Sequence, residues 1–203
     1  YGGILKDGVG GVNGLQEARA IVISPDGQHV YVSAKVDDSV SWFARNANTG
    51  ALTFQGLLQN GVNGVSNLDN PNEIGMSSDG KSVYVAGYSD SSVLWLDRDS
   101  NTGALSQGGQ VRQGVEGVDG LNQPWGVTFS PDQKHAYVTS HTDDAISWFS
   151  RSATSDANVP TPTRILTGGA AQVAAGENHS LILKDNGSLW AGGGNQYGEL
   201  GTG

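Results

Sequence analysis

Gly8-Val9-Gly10-Gly11-Val12-Asn13-Gly14-Leu15 is a phrase that returns twice, as Gly61-Val62-Asn63-Gly64-Val65 with Leu68 and as Gly114-Val115-Glu116-Gly117-Val118-Asp119-Gly120-Leu121. Its first glycines stand at 8, 61 and 114, a constant offset of 53 residues. The same offset joins Ser24, Ser77 and Ser130; Asp26, Asp79 and Asp132; Tyr31, Tyr84 and Tyr137; Trp42, Trp95 and Trp148; and Arg45, Arg98 and Arg151. A fixed period without insertion marks a repeat architecture, in which each copy needs its neighbour to complete a core.

Within the middle copy, Asn72–Met76 reads as a short strand and Ser78-Asp79-Gly80-Lys81 as a turn whose Gly supplies a positive φ. Ser82–Gly87 and Ser92–Asp97 follow as β-branched and aromatic strands, and Asp99-Ser100-Asn101-Thr102-Gly103 turns into a fourth strand at Ala104-Leu105. Helical periodicity is absent, and 31 Gly in 203 residues disfavour any long helix. Four antiparallel strands per 53-residue copy are the dimensions of a propeller blade, so the expected fold is all-β.

Composition removes several function classes. Without Cys there is no disulfide framework, thiolate nucleophile or Cys-ligated metal centre, and four His are few for a metal cluster. A net charge of −9 with no basic run argues against duplex nucleic acid and anionic membranes as partners. No apolar stretch is long enough to span a bilayer, and Tyr1-Gly2-Gly3-Ile4 carries no signal-peptide pattern, so any export signal is absent or already removed.

Ser24-Pro25-Asp26-Gly27 with Tyr31-Val32, Pro124–Asp132 with Tyr137-Val138, and Asn48-Thr49-Gly50-Ala51-Leu52 together resemble the lactonase-type, YVTN-like β-propeller repeat of bacteria and archaea. The resemblance implies propeller blades over 1–158, in repeats 1–53, 54–106 and 107–158. Such families include sugar-lactone hydrolases and surface proteins. The pattern breaks at Ser155-Asp156-Ala157-Asn158, and 159–163 reads as a Pro/Thr linker. Beyond it, 164–203 resembles one repeat of the RCC1 family through Val173–Leu183, Gly187-Ser188-Leu189-Trp190 and Gly194–Gly203, with Gly193 departing from a commonly repeated Trp. Closed rings need about four to eight blades. A segment of a longer protein, several chains completing one ring, and an open stack therefore all stay open. The segment is the preferred expectation, because Tyr1 enters a repeat without a lead-in and Gly203 ends at a repeat boundary.

No catalytic set is defined by spacing, so positions that differ between copies carry the functional information. The loop leading into the first strand bears Glu17, Asn70 and Gln123, then Arg19, Asn72 and Trp125, then Ala20, Glu73 and Gly126. The loop between strands two and three bears Lys35, Tyr88 and His141. Were these to share one opening, Glu73 or His141 would serve as base on water, Arg19 would steady an anion or oxyanion, and Trp125 and Tyr88 would face a ligand.

Other features have plainer readings. The in-phase Asp37, Asp90 and Asp143 read as turn acceptors, Asp97–Gly103 as a hairpin rather than a calcium loop, and Trp42, Trp95 and Trp148 as blade packing. His179 reads as a repeat-defining structural His, and His29 and His135 as turn residues. The Gly-Val loops lack the Gly-Lys-Ser/Thr ending of a phosphate loop; no cofactor and no metal is expected.

The primary expectation is a noncatalytic scaffold or binding module, secreted or on a prokaryotic surface, assembling with itself or with missing blades through exposed strand edges, or binding a protein partner. The alternative is a cofactor-independent hydrolase opening a small anionic sugar lactone.

Overall fold

A computed structural model describes residues 2–151 and the strand segments 170–175, 179–184 and 189–193, the latter as backbone and pairing alone. The described residues contain strands and turns but no helix. The first sheet is β1 (Ala18–Ile23), β2 (His29–Ala34), β3 (Ser39–Arg45) and β4 (Leu52–Gln59), hydrogen-bonded in chain order. The second repeats it with β5 (Pro71–Met76), β6 (Ser82–Gly87), β7 (Ser92–Arg98) and β8 (Leu105–Arg112). The third holds β9 (Pro124–Phe129), β10 (His135–Ser140) and β11 (Ala145–Ser150). A further antiparallel sheet comprises β12 (Ala170–Ala175), β13 (His179–Lys184) and β14 (Leu189–Gly193). The break at 155–158 and the linker at 159–163 lie outside the described residues, as do the side chains of His179 and Trp190.

The 53-residue period holds, but the boundary between 53 and 54 falls inside β4. A repeat has no intrinsic starting point; hydrogen bonding decides which strands form one blade, and here it groups Ala18 through Gln59. The Gly-Val loops are the connections that lead from one blade into the next. Gly8, Gly61 and Gly114 donate their N–H groups to Val12, Val65 and Val118, and those three valines are buried anchors.

The β1–β2 type turn is built identically three times. Ser24 Oγ donates to Asp26 Oδ1 at 2.5 Å, and the backbone N–H groups of Gln28 and His29 donate to Asp26 and Ser24. Ser77/Asp79 and Ser130/Asp132 repeat the arrangement. Gly27 and Gly80 hold the left-handed position of this turn at φ +69° and +68°. Gln133 takes it in the third copy at φ 60°, and its side-chain oxygen reaches across to the Ser78 N–H.

The in-phase tryptophans are packing residues. Trp42 pairs with Gly56 and Trp95 with Gly109 next to a bulge in the outer strand. A Cβ on Gly56 would stand 2.5 Å from Trp42 Cζ2, and one on Gly109 2.1 Å from Trp95 Cζ2. Only a residue without a side chain lets the indole lie on that backbone.

Sheets stack face to face, with the first strands β1, β5 and β9 neighbouring one another as innermost propeller strands do. One core between the first two blades includes Tyr31, Val40, Ile74, Val83, Val85, Leu94 and Leu96. The next, between the second and third blades, includes Val93, Leu121, Val127, Val138 and Phe149, with Tyr84, Trp95 and Phe129 packed against it.

At the edge of the first core sits Arg98, the last residue of β7. Its Nε donates to Tyr31 Oη at 2.7 Å, Nη1 to the Gly80 carbonyl at 3.0 Å, and Nη2 to Asp26 Oδ2 at 2.7 Å. Nη2 also lies 2.8 Å from His29 Nδ1. A guanidinium only donates, so that imidazole nitrogen accepts, and burial together with Arg98 lowers the His29 pKa. Tyr31 completes the junction by donating to the Gly103 carbonyl at 2.9 Å. Arg151 repeats the clamp on the second blade, with Nε 2.9 Å from Tyr84 Oη, Nη1 2.9 Å from the Gln133 carbonyl, and its guanidinium 5.1 Å from the Tyr84 ring centre.

Gly109→Ala will lower unfolding free energy by about 1–3 kcal/mol in urea titrations, because the new methyl overpacks Trp95. Arg98→Ala will cost roughly 3–5 kcal/mol, since it leaves Asp26 and Tyr31 without their partner. The Asp26 pKa is held at about 2 rather than 3.8: burial pushes it up, but hydrogen bonds from Ser24, the Gln28 N–H and Arg98 outweigh burial. A depressed carboxyl stabilises the fold above its unfolded value and loses that contribution as pH falls through the folded one. Stability will therefore decline between about pH 4 and pH 2, and Asp26→Asn will flatten that decline in acid titrations.

Candidate functional site

Each innermost strand starts with one residue too many. In β1 the partners run from Ala18–Ala34 to Ile21–Val32, in β5 from Pro71–Gly87 to Ile74–Val85, and in β9 from Pro124–Ser140 to Gly126–Thr139. These β-bulges span Arg19-Ala20, Asn72-Glu73 and Trp125; Arg19, Asn72 and Trp125 are equivalent, whereas Glu73 is the counterpart of Ala20 and Gly126. A bulge turns a side chain out of strand alternation, and the N–H it releases needs a new acceptor. Ser33 Oγ accepts from the Ala20 N–H at 3.2 Å, and Thr139 Oγ1 from the Gly126 N–H at 3.0 Å.

The two loops at that end are locked together in every blade. The N–H groups of Lys35, Tyr88 and His141 donate to the carbonyls of Glu17, Asn70 and Gln123 at 3.0, 3.2 and 3.0 Å. Glu17, Asn70 and Gln123 all take left-handed backbone, with φ 53°, 53° and 51°. Asp37, Asp90 and Asp143 accept the N–H groups of Gln16, Asp69 and Asn122 at 2.7–2.8 Å; they are structural acceptors as read, but for the neighbouring loop 21 residues earlier rather than for their own tight turn. Neighbouring blades are tied at the same level, with the Asn70 N–H donating to Asp38 Oδ1 and the Gln123 N–H to Ser91 Oγ.

On this frame the structure gathers Tyr88, Trp125 and His141. Tyr88 stands edge-on to Trp125 with ring centres 5.8 Å apart, and His141 lies 5.8 Å from Trp125 and 6.3 Å from Tyr88. Gln123 Oε1 accepts from Tyr88 Oη at 2.9 Å and also from Thr142 Oγ1, which holds the two blades' rings in place. Trp125 remains 43% exposed. The result is a cluster of two aromatic rings and an imidazole drawn from two blades, with part of the Trp125 ring open to solvent.

Glu73 sits half-buried on β5 between the two other bulges. Burial pushes its pKa up, partly offset by a hydrogen bond from the Ile74 N–H. Among the described residues no hydrogen bond or ion pair links Glu73 to Arg19, Trp125 or His141. Arg19 belongs to a charge group on the first blade, with Nη2 3.5 Å from Glu17 Oε2, which also lies 3.9 Å from Lys35 Nζ. Its cation is already half-neutralised. The rim also carries Asp38, Asp69 and Asp90; burial and the two neighbouring aspartates raise the Asp69 pKa.

The remaining candidate loop resolves as a hairpin. Asp99 Oδ1 is occupied by the N–H groups of Asn101 and Thr102, as Asn46 Oδ1 is by those of Asn48 and Thr49. Among the described residues no group of three or more His, Asp or Glu is arranged to hold a metal. The sequence reading did not assign a role to the in-phase arginines or to Gln123 and Thr142. A signal for the arginines was present: Tyr31 to Arg98 and Tyr84 to Arg151 are both 67 residues apart, so a blade-to-blade pair repeats with the period.

Comparison with known proteins agrees with this architecture. The periplasmic gluconolactonase PpgL of Pseudomonas aeruginosa is 22% identical, with a TM-score of 0.56 over 68% of this chain and 36% of that one. A 6-phosphogluconolactonase, so described without proof of activity, from Bacteroides uniformis is 16% identical, with a TM-score of 0.60 over 88% of this chain and 51% of its own. A protein from Lactobacillus plantarum is 19% identical, with a TM-score of 0.60, covering 85% of this chain and 53% of its own. At such identities the likeness is one of fold, and this chain spans between a third and about half of those structures. No curated protein matches the sequence. The model of the Regulator of chromosome condensation (RCC1) repeat matches residues 170–199. The model of the lactonase, 7-bladed β-propeller family matches residues 6–119 and 71–170, so three bulged blades joined by arginine clamps are accounted for: the chain belongs to the lactonase β-propeller family.

Proposed function

We propose that this chain supplies part of a hydrolytic site that opens a small sugar lactone. The observation that carries the proposal is the set of three bulges at one end of the innermost strands, which bear Arg19, Asn72 and Trp125 at equivalent positions, with Glu73 directly after Asn72. The names of the gluconolactonase and 6-phosphogluconolactonase relatives support the substrate class.

In this reading the lactone ring lies against Trp125, Tyr88 and His141. Glu73, in its carboxylate form, takes a proton from water as the water oxygen bonds to the lactone carbonyl carbon. The ring C–O bond then breaks, and the leaving alkoxide takes the proton back from Glu73, giving the open hydroxy acid. Arg19 faces the developing negative oxygen, weakened by its pairing with Glu17. The rim acids Asp38, Asp69 and Asp90, with Glu73, repel an anion, so a neutral lactone suits this end better than the anionic one expected from sequence. A noncatalytic scaffold is the second reading, favoured by the sameness of the Ser-x-Asp turns in all three blades.

Aldonic δ-lactones, neutral and 6-phosphorylated, will be assayed by acid release with the full chain. The neutral lactone is expected to turn over faster. Glu73→Gln will lower kcat by at least about tenfold, the usual scale for losing a general base, and Trp125→Ala will raise KM with a smaller effect on kcat. Because the Glu73 pKa is raised and the base is the ionised form, kcat/KM will fall on the acid side above the ordinary 4.5 of a glutamate, and Glu73→Gln will abolish that limb. Unchanged rates in both Glu73→Gln and His141→Ala would remove the site, and absence of turnover would remove the hydrolase reading.

A further inference from the structure

Glu17, Asn70 and Gln123 occupy the same left-handed position ahead of each bulge, with φ 53°, 53° and 51°. Their carbonyls act alike, accepting the N–H groups of Lys35, Tyr88 and His141 respectively. Their side chains do not. Glu17 Oε2 lies 3.5 Å from Arg19 Nη2 and 3.9 Å from Lys35 Nζ, all within the first blade. Asn70, one methylene shorter than Gln123, keeps its Oδ1 buried and without a hydrogen-bond partner among the described residues. The second blade thus closes its loop frame without using that side-chain oxygen, so the frame itself does not call for the Gln123 amide.

Gln123 Oε1 instead accepts two hydroxyls across a junction, Tyr88 Oη of the second blade at 2.9 Å and Thr142 Oγ1 of the third. Tyr88 is the group this bond restrains. Its backbone is tied to the second blade, yet its ring stands at 81° to that of Trp125 on the third, with centres 5.8 Å apart, and lies 6.3 Å from the His141 ring. A tyrosine held only at its backbone retains freedom about two side-chain torsions, which a hydrogen bond at the hydroxyl removes.

The other two rings hang from the same residue. His141 donates its N–H to the Gln123 carbonyl at 3.0 Å, and Trp125 follows Gln123 by two positions. Gln123 in turn donates its own N–H to Ser91 Oγ of the second blade at 3.2 Å. Every one of these contacts is internal to the junction between the second and third blades. The amide does this without charge, where the first blade has a carboxylate.

We propose that Gln123 is the positioning residue of the lactone site: by holding Tyr88 against Trp125 it presets the ring corner on which a neutral lactone packs. The inference rests on the hydrolase reading of this end of the blades and names within it a residue that sets substrate affinity without touching the reacting atoms. Rings ordered in advance lose less freedom when a ligand arrives, so preorganisation acts on binding. Its loss therefore falls on KM more than on kcat.

Steady-state kinetics of the full chain on a neutral aldonic δ-lactone, followed by acid release, test it. Gln123→Met keeps an unbranched side chain of similar length but removes the acceptor; it will raise KM about fivefold, the scale of neutral hydrogen bonds, with a smaller change in kcat. Gln123→Glu keeps an acceptor oxygen and will recover most of that loss. Tyr88→Phe removes the other half of the same bond, so combining it with Gln123→Met will raise KM no further than Gln123→Met alone. The near-ultraviolet circular dichroism that Trp125→Phe removes from the wild type will be weakened by Gln123→Met and kept by Gln123→Glu. Should Gln123→Met fail to unfold cooperatively in urea, Tyr88→Phe with Thr142→Val removes both donors and leaves the left-handed residue in place. An unchanged KM in Gln123→Met, equal losses in the Met and Glu variants, or additive losses in the double variant would overturn the positioning role and leave the hydrolase reading standing. Absence of turnover by the wild type would overturn the hydrolase reading and the lactone role of Gln123 with it.

Discussion

Desolvating one guanidinium between two sheets is the constraint around which these blades are arranged. Arg98 loses water on entering the first junction, and only a complete set of acceptors makes that tolerable. Tyr31, Asp26, His29 and the Gly80 carbonyl provide that set from two different blades. The clamp therefore orders the Ser-x-Asp turn, the end of the third strand and the packing of one sheet on the next in a single act. Arg151 shows that the device is modular: a carbonyl of its own blade and a tyrosine of the previous one suffice, with Phe129 and Tyr84 rings under the guanidinium in place of a close carboxylate.

With the turn end of each blade held this way, the opposite end of the innermost strands is free to carry irregularity. Each β1-type strand spends its first residues in a bulge, and the loops around it are tied by backbone bonds that do not depend on side-chain identity. Side chains at those positions can therefore diverge without loss of the frame. Arg19, Asn72 and Trp125, and likewise Ala20, Glu73 and Gly126 or Lys35, Tyr88 and His141, differ between blades at one end of a scaffold whose turns are otherwise copied. This separation between a repeated framework and nonrepeated presentation is what makes the bulged end the place to look for chemistry.

The period, the strand order within a blade and the membership of an all-β repeat fold were legible in the sequence, because turn chemistry is local. Ser24-Pro25-Asp26-Gly27 closes on itself through bonds spanning two to five residues, and its reappearance at 77 and 130 needs no tertiary information. The aspartates at 37, 90 and 143 were readable as backbone acceptors, but the N–H groups they accept lie 21 residues away on the neighbouring loop, a pairing that only the fold shows. Tertiary structure alone decided which strands share a blade, since β4 crosses the counted repeat boundary, and it alone showed that Trp95 requires Gly109 beneath it. It also joined Tyr88 and His141, 53 residues apart in chain numbering, around Trp125, while pairing Arg19 with Glu17 and leaving Glu73 without a side-chain partner among the described residues. Local hydrogen bonding is written in neighbouring residues; the desolvation of Arg98 and the meeting of rings from different blades depend on how sheets stack, which no short stretch of chain contains.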